Sequence, residues 1–523
     1  MMPIRNILIV GGGSAGWLAA AYLARTLGAG DPEGPRITLV EARGIPTIGV
    51  GEGSFPSLRG TLAAIGIAED RFIRDCSATF KQGIRFDHWV RPPGQPGADH
   101  YFHPFSQPSQ RPGGPELLPY WLLGEAGEGQ AFAEAATLQK RVADASRAPK
   151  RPTDADYVGA LNYAYHFDAG RFADLLAEQA RALGVQHVAA TVERVEMGDG
   201  GLIAAVHTRE AGRLAADLFL DCTGFHAALI GGALGSPFKS LADQLFVDRA
   251  LAIQLPYPRV DAPIASYTIS TAQPAGWIWD IGLQERRGVG HVYSSRHVDD
   301  DQAEAQLRAY LGPAADALSA RRLELRIGYR ETQWVGNCVA VGLSSGFIEP
   351  LEASGLGLVE AAVYLIAHLF PHGGELDAAA RQFNAQMRTR YERIADFVKL
   401  HYGLSQRRDS AFWVDNTAPE SFSPLLREQL MMWRQRAPHR LDFIADLEMY
   451  PPSSWQYVLY GMEYPTRLAR NARAWPRAAE ARQEFQTLRQ LAPRAIADLP
   501  THRALVQHLC ARANAAVAPG VRS

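Results

Sequence analysis

The distribution of apolar and polar residues over the first 41 positions predicts a strand, a helix and a second strand. Residues 7–10 are a short apolar run that enters glycines, as a buried strand would. A helix is predicted from about Ser14 to Leu27, and a second apolar run at residues 37–40 ends at Glu41. This order of elements is typical of the βαβ unit that opens a nucleotide-binding sheet.

Further along the chain, the pattern predicts more strands and a largely helical end. Asp168 is a candidate N-cap for a helix that Gly184 closes. Residues 91–119 hold eight prolines, which predicts a long loop without regular helix or central strand. Beyond about residue 375, apolar residues recur at helical spacing. The remaining predicted elements are strands at 188–195, 202–208, 218–220 and 338–341 and a buried helix at 356–370.

These elements predict an α/β protein with a nucleotide-binding sheet, an inserted substrate region and a helical C-terminal region. We expect residues 1–370 to form the nucleotide-binding fold, assembled from three separate pieces. The expected pieces are about 1–60, 155–235 and 325–370, with substrate-region insertions at about 61–154 and 236–324 and a mainly helical substrate region at 371–523.

Composition excludes several classes of function. The 53 basic and 55 acidic residues give a net charge of −2, so global charge favours neither nucleic acid nor an anionic membrane as partner. Four cysteines without CxxC spacing argue against a disulfide framework or a structural zinc site, and no metal is expected. The apolar run at 356–370 is too short to span a bilayer. We therefore expect a cytoplasmic protein.

A glycine fingerprint follows the first strand. Gly11, Gly13 and Gly16 have the GxGxxG spacing that permits a tight turn and close approach of a pyrophosphate, with Ser14 and Ala15 inside the turn. Glu41 follows Gly16 by 25 positions and could accept a hydrogen bond from a ribose hydroxyl. The small-residue turn at 221–224, comparable to one near the FAD in glutathione-reductase-like flavoproteins, and the lack of a second GxGxxG favour FAD, reduced by another protein, over a nicotinamide cofactor. We therefore expect residues 1–370 to have a glutathione-reductase-like FAD-binding fold.

Two separated residues are candidates for chemistry. Lys81 lies among apolar residues, where a partly desolvated amine becomes a usable nucleophile, although a lysine that reaches the surface is the commoner alternative. Glu352 precedes Ser354 and Gly355 at a predicted helix start, where exposed amides form an anion site. The alternative for Glu352 is an acid that stabilises the helix dipole. Considered singly, each residue favours its structural alternative.

Five segments together resemble the flavin-dependent tryptophan halogenase family. They are the glycine turn at 11–17, the Gly-Val-Gly-Glu-Gly-Ser-Phe-Pro stretch at 49–56, the lysine segment at 80–86, Gly-Trp-Ile-Trp-Asp-Ile at 276–281, and the stretch at 342–352 that ends in Glu-Pro-Leu-Glu. The pairs at 401–402 and 412–413 extend the resemblance over nearly the whole chain. Gly282 departs from the family's usual proline, and Gly53 and Ser54 replace its commoner alanine and threonine.

The resemblance implies a reaction in two places. Reduced FAD, supplied by a separate NAD(P)H-dependent flavin reductase, reacts with O2, and chloride or bromide is oxidised to hypohalous acid. Lys81 matches the lysine that hands the halogen to an aromatic ring. Glu352 matches the glutamate that assists halogen activation or removes the ring proton. Ser354 and Gly355 match the residues whose amides hold the halide.

The resemblance assigns further positions to cofactor and substrate. The matching flavin contacts are Gly51, Val192, Leu343 and Leu356. Trp277 and Trp279 match tryptophans that keep the substrate away from the flavin. His103 and Phe105 match positions that sandwich an indole, and Trp455 lies in the substrate-gripping stretch, which is shorter here and implies a more open pocket for indole, an indole derivative or a tethered group.

The sequence therefore predicts an FADH2-dependent halogenase of an electron-rich aromatic ring, indole or an indole derivative such as tryptophan. The alternatives are an aromatic flavoprotein monooxygenase that hydroxylates its substrate and a flavin-binding protein without catalysis. The natural substrate, the ring position, the halide preference and the oligomeric state stay open, with a homodimer as one candidate.

Overall fold

A six-stranded sheet carries the N-terminal motif in the computed structural model, which describes residues 3–44, 51–444, 446–469 and 471–517. Five of its strands are parallel, and the short strand Trp334–Val335 pairs antiparallel at one edge. Across the sheet, the order is Trp334–Val335, Cys338–Ala340, Leu218–Asp221, Asn6–Val10, Arg36–Glu41 and Gln186–Ala189. The predicted βαβ opening is confirmed, and the first helix spans Ser14–Leu27.

The chain divides into two units. The first consists of Met1–Ala78, Phe167–Ala242 and Leu325–Glu392, and it contains the six-stranded sheet. Its helix Ser14–Leu27 packs against Ala169–Ala182 and Ser354–His368. Asp168 caps the helix Ala169–Ala182, because its side chain accepts a hydrogen bond from the Arg171 amide at 3.0 Å, as its position predicts. The other elements of this unit are helices Leu58–Ile65 and Glu69–Asp75 and strands Glu52–Gly53, Val192–Met197, Ile203–Thr208, Gly212–Ala215, Phe238–Ser240, Gly328–Arg330 and Gly346–Phe347.

The second unit consists of Thr79–His166, Asp243–Glu324 and Arg393–Ser523. Its seven-stranded sheet is antiparallel except where Thr268–Gln273 runs parallel to Gly83–Asp87. The strand order is Arg321–Glu324, Arg249–Pro256, Arg286–Tyr293, Gly276–Gly282, Thr268–Gln273, Gly83–Asp87 and His100–Pro104. A short antiparallel ladder pairs Thr79–Lys81 with Ala164–Phe167.

Helices dominate the end of the chain, as predicted. Leu376–Gly403 is the longest, and its apolar stripe at Phe383, Met387, Tyr391, Ile394 and Phe397 is buried. This helix begins in the first unit and continues into the second at Arg393. The helices wholly within the second unit are Leu117–Leu122, Phe132–Ala136, Gln139–Asp144, Asp300–Leu311, Ala411–Asn416, Pro424–Trp433, Pro452–Gly461, Ala478–Asp498 and His502–Val517. Within the described ranges, no helix is both long and apolar enough to cross a bilayer.

The prediction that residues 91–119 form only a loop is wrong in part. His100–Pro104 is a strand that pairs antiparallel with Gly83–Asp87. It lies at the edge of the seven-stranded sheet, where a strand can end in proline without breaking a hydrogen-bonded ladder on both sides.

Candidate active site

The glycine turn forms a cradle at the start of the first helix. Gly11 has a φ of +112°, and a Cβ on it would overlap the Cys222 carbonyl. A Cβ on Gly16 would overlap the Gly11 carbonyl, whereas a Cβ on Gly13 would meet no atom of the described residues within 4 Å. No described side chain caps the first amides of Ser14–Leu27. The turn is therefore tightly packed on one side and open beside uncapped amides on the other, which fits a bound pyrophosphate.

Glu41 lies against this turn. A Cβ on Gly12 would overlap the Glu41 carboxylate, so only glycine permits this approach. The carboxylate also lies 3.0 Å from His187 Nε2. The sequence did not single out His187, because its position depends on the parallel pairing of Gln186–Ala189 with Arg36–Glu41.

A second turn packs against the first helix. Gly342 has a φ of +76°, and a Cβ added to it would lie 2.8 Å from the Ala15 Cβ. The backbone at Gly342, just before Leu343, therefore lies close to the first helix. The Arg330 amide donates to the Ser345 carbonyl at 2.7 Å, which fixes the far end of the turn. Of the other predicted flavin contacts, Leu356 is buried, and Val192 packs at the core cluster that contains Val10 and Val40.

The described part of the segment at 49–56 begins at Gly51, since Gly49 and Val50 lie outside the described residues. Gly51 is buried and has a φ of +123°. Desolvation and, to a smaller extent, the nearby Asp168 carboxylate together raise the pKa of Glu52 to about 7. This segment thus carries a carboxyl that titrates near neutral pH.

The predicted halide segment ends at a helix start. Ala353 adopts a left-handed conformation with a φ of +56°, and the helix Ser354–His368 begins immediately after it without a capping side chain. The Ser354 hydroxyl is buried and finds no hydrogen-bond partner among the described residues. A Cβ on Gly355 would meet nothing within 4 Å, and Glu352 itself is buried. Uncapped amides beside a buried, unsatisfied hydroxyl fit a small anion.

Lys81 lies in the second unit beside two of the predicted substrate residues. Its side chain is 1% exposed, and Nζ lies 5.3 Å from the centroid of the Phe105 ring. His103 is buried and packs edge-on against Phe105, with ring centroids 6.4 Å apart. The Phe105 amide donates to the Gln82 carbonyl at 3.2 Å, which ties the aromatic segment to the lysine segment. The structure thus brings together three residues that the sequence placed in one site.

Trp455 lies in an aromatic cluster that begins at His103. Phe397 packs edge-on against both His103 and Trp455, at centroid distances of 5.8 and 5.0 Å. Trp455 is fully buried, and the Arg393 guanidinium lies 4.7 Å from its ring centroid. Arg393 Nε donates to Glu448 Oε1 at 2.8 Å, and burial raises the pKa of Glu448 although Arg393 opposes that effect. No motif in the sequence indicated Arg393 or Phe397, since only folding joins them to Trp455.

The two tryptophans predicted to shield the flavin lie in a buried strand of the seven-stranded sheet. Trp277 and Trp279 alternate along Gly276–Gly282, so they share a face, and their rings are 6.4 Å apart. Trp279 packs against Gly290, where a Cβ would overlap its ring. Their burial shows a core role, and flavin shielding stays a prediction.

Glu352 belongs to the first unit and Lys81 to the second. The first unit thus gathers the predicted flavin and halide residues, and the second gathers the lysine, the candidate substrate aromatics and the paired tryptophans. Each group is consistent with one part of the predicted reaction.

Comparison with known proteins shows the family of the chain. The sequence profile described as tryptophan halogenase matches residues 6–477. The tryptophan 6-halogenase of Streptomyces toxytricini is 34% identical over 522 residues, which cover 96% of this chain and 98% of that protein.

Two solved structures extend the comparison. A tryptophan halogenase from Shewanella frigidimarina is 41% identical with a TM-score of 0.93, over 97% of this chain and 98% of that one. A flavin-dependent halogenase from Xanthomonas campestris is 34% identical with a TM-score of 0.87, over 97% and 99%. These similarities confirm the predicted fold class.

Proposed function

The chain belongs to the tryptophan halogenase family, and we propose on that premise that it is an FADH2-dependent halogenase of an electron-rich aromatic ring. It uses O2 and either chloride or bromide. The observation that carries the proposal is the buried amine of Lys81 beside the aromatic ring of Phe105. A hydroxylase or a passive flavin carrier has no use for that amine.

The residues around the glycine turn fit FAD. Gly11, Gly13 and Gly16 would hold the pyrophosphate, Glu41 the ribose, and the turns at Gly51 and Leu343 would contact the remainder together with Val192 and Leu356. When bound, reduced flavin would supply two electrons for the reduction of O2, so that one oxygen atom ends as water and the other oxidises the halide to hypohalous acid. The first unit thus corresponds to the FAD-binding fold, and the second contains the substrate region.

The start of the helix Ser354–His368 would hold the halide. The amides of Ser354 and Gly355 are uncapped, and the buried Ser354 hydroxyl would gain a partner from the anion. Each hydrogen bond to an anion is stronger than one to a neutral acceptor, because the full negative charge attracts the N–H or O–H dipole more strongly.

Lys81 would receive the halogen. Its neutral amine attacks the halogen of hypohalous acid, an N–X bond forms, the O–X bond breaks, and water leaves with the amine proton. A ring carbon of the substrate then takes the halogen, which restores the amine. Glu352 assists halogen activation or accepts the ring proton, a role suited to a buried carboxylate.

The substrate would be indole or an indole derivative. His103 and Phe105 provide aromatic faces and edges for an electron-rich ring. Glu448, an acid in the stretch that would grip an amino acid, is already paired with Arg393 and so is not available to an ammonium group. We therefore place indole and amine-free or tethered derivatives ahead of free tryptophan.

A separate NAD(P)H-dependent flavin reductase would supply FADH2, because the sequence has one dinucleotide fingerprint, at Gly11–x–Gly13–x–x–Gly16. The oligomeric state of the enzyme, including a homodimer, is a matter for solution measurement.

A product assay tests the function. The enzyme is incubated with a flavin reductase, NADH, FAD, O2, bromide or chloride, and a panel of indoles, phenols and pyrroles that includes tryptophan. Mass spectrometry should show monohalogenated indole. A hydroxylated product that forms without halide would support the monooxygenase instead, and flavin binding without any product would favour a non-catalytic protein.

The Glu352→Gln variant tests the carboxylate. Turnover should fall by roughly 10²-fold, because the amide cannot accept a proton. Flavin affinity should remain that of the parent, since the substitution is isosteric. Unchanged turnover would remove Glu352 from the chemistry.

A further inference from the structure

The backbone amide that precedes Lys81 is held by a side chain from the far end of the chain. Phe80 lies between Thr79 and Lys81 in the short strand Thr79–Lys81, which pairs with Ala164–Phe167. The Phe80 N–H does not join that ladder. It donates to Nε2 of His502 at 2.9 Å, across 422 positions of sequence.

His502 has a single hydrogen-bonding arrangement. Its Nε2 accepts from Phe80, so Nδ1 carries the proton and donates to the Ile264 carbonyl at 3.0 Å. The imidazole is 1% exposed, and burial lowers its pKa to about 4 although the Ile264 hydrogen bond opposes that effect. The ring is thus neutral, with both nitrogens engaged.

The amide that follows Lys81 is fixed by the same neighbouring segment. The Gln82 N–H donates to the Ser266 carbonyl at 2.6 Å, and the Gln82 side chain donates to Ser266 Oγ at 3.0 Å. Residues 264–266 therefore support both sides of the lysine, once through His502 and once directly. Lys81 is held between two buried hydrogen bonds.

His502 is itself firmly placed. Its amide donates to the Ser146 carbonyl at 2.9 Å, and the Ala148 amide donates to the Pro500 carbonyl at 3.0 Å. The next residue, Arg503, donates from Nη1 to the Gln284 carbonyl at 3.0 Å. The imidazole therefore reaches Phe80 from a backbone anchored on two sides.

We propose that His502 is a positioning residue for Lys81. It accepts a hydrogen bond from the Phe80 amide and so holds the strand that carries the lysine. The inference rests on the proposed function for the role of Lys81, and it adds a residue outside the family match, which ends at residue 477. Without the acceptor, a buried N–H is left unsatisfied and the strand edge must shift to find a partner. A displaced amine transfers halogen less efficiently, and hypohalous acid escapes to solvent.

Three variants test the proposal. His502→Gln retains an amide oxygen that can accept the Phe80 N–H, whereas His502→Leu removes the acceptor at similar volume. His291→Leu is the matched control, because His291 is also buried and its pKa is also lowered to about 4 by burial. Its Nδ1 faces the Ala303 carbonyl at 3.0 Å, in a strand that pairs with Arg249–Pro256 and Gly276–Gly282.

The measurements are product formation, hypohalous acid captured by a 1,3-diketone trap, and amide hydrogen exchange of peptides that cover residues 76–84. His502→Leu should lower product turnover about 10-fold or more, raise the trapped fraction and speed exchange at Phe80 about 10-fold. His502→Gln should remain within about 3-fold of the parent in all three. His291→Leu should not change the trapped fraction.

Equal impairment of His502→Gln and His502→Leu, or a raised trapped fraction in His291→Leu, would overturn the proposal. Unchanged exchange at Phe80 in His502→Leu would do so as well. If the parent enzyme forms no halogenated product, the proposed function fails, while the exchange data still decide whether His502 fixes the strand.

Discussion

The glycine turn at residues 11–16 and the lysine strand Thr79–Lys81 are built in different ways. The turn is made of backbone, and its shape depends on the absence of side chains at Gly11, Gly12 and Gly16. The strand is held by hydrogen bonds to other segments, of which the one from the Phe80 amide to His502 is the most distant in sequence. Both are rigid, but for opposite reasons.

The contrast predicts which substitutions each region tolerates. Added volume at Gly11, Gly12 or Gly16 damages the turn, because a Cβ there would overlap a carbonyl oxygen or a carboxylate. Removal of a polar atom damages the strand, because its amides are buried and must be satisfied. The variants below test this contrast, beginning with the largest expected effect.

Loss of the Lys81 amine should have the largest effect. Lys81→Met retains the length and apolar packing of the side chain but removes the nitrogen, so halogenated product should fall about 10³-fold or more. FAD titration should show unchanged affinity, because Lys81 belongs to the second unit and the glycine turn to the first.

Lys399→Met is the matched control for this variant. Lys399 is also 1% exposed, lies 4.9 Å from the Phe246 ring centroid and donates to Asn416 Oδ1 at 3.0 Å. Its loss should lower the melting temperature and leave halogen transfer within about 3-fold. Equal loss of product in both variants would show that burial of a lysine, and not its chemistry, accounts for the effect.

Glu360 shows that the first unit also depends on buried side chains. Ser57 Oγ and Thr61 Oγ1 donate to its carboxyl at 3.0 and 2.5 Å, and Tyr22 and Tyr364 lie near it. Burial raises its pKa to about 7, although the two hydroxyls lower it. The unfolded chain ionises this group near its ordinary 4.5, so its contribution to stability is complete below that pH and is lost as pH rises through about 7.

Glu360→Gln should remove this dependence. The free energy of unfolding of the variant, relative to the parent, should rise by up to about 3 kcal/mol between pH 4.5 and pH 8, at about 1.4 kcal/mol per pH unit of pKa change. Thermal melts across that range measure it. Glu33→Gln, at an exposed acid, serves as control, and a pH-independent difference for Glu360→Gln would refute the assignment.

A substitution at Gly13 tests flavin binding by the turn independently of its packing. A Cβ there would meet no atom of the described residues within 4 Å, so Gly13→Val should leave the melting temperature of the apoprotein unchanged. It should weaken FAD binding about 10-fold, because it fills the approach to the helix amides. Fluorescence titration measures the affinity.

Gly16→Val is the counterpart, since its side chain would overlap the Gly11 carbonyl. It should destabilise the apoprotein by about 1–3 kcal/mol. Parent-like flavin affinity in Gly13→Val would mean that the open side of the turn does not face the ligand.

Local sequence predicted the elements of the first unit well. The helix Ser14–Leu27 and the Asp168 cap follow from short-range spacing and from a side chain that reaches an amide three residues on. The strand His100–Pro104 was missed, because proline content outweighed a pairing that only the neighbouring strand supplies. The contact of Arg393 with Trp455 was also not predicted, because Arg393 looks like an ordinary helix position and only folding brings it to that ring.

The sequence by itself determined the nucleotide-binding opening, the family and the residue types that the chemistry requires. The nucleotide-binding opening depends on apolar periodicity and on glycine spacing, which are local and repeat within a few residues. The family and the roles of the residues rest on the resemblance of five short segments. Tertiary structure alone decided that Phe105 lies over Lys81 and that His502 holds the amide beside it. A buried amide requires a hydrogen-bond acceptor, but the acceptor can lie at any distance along the sequence. For Phe80 it is a histidine 422 positions away, which only the folded chain brings close.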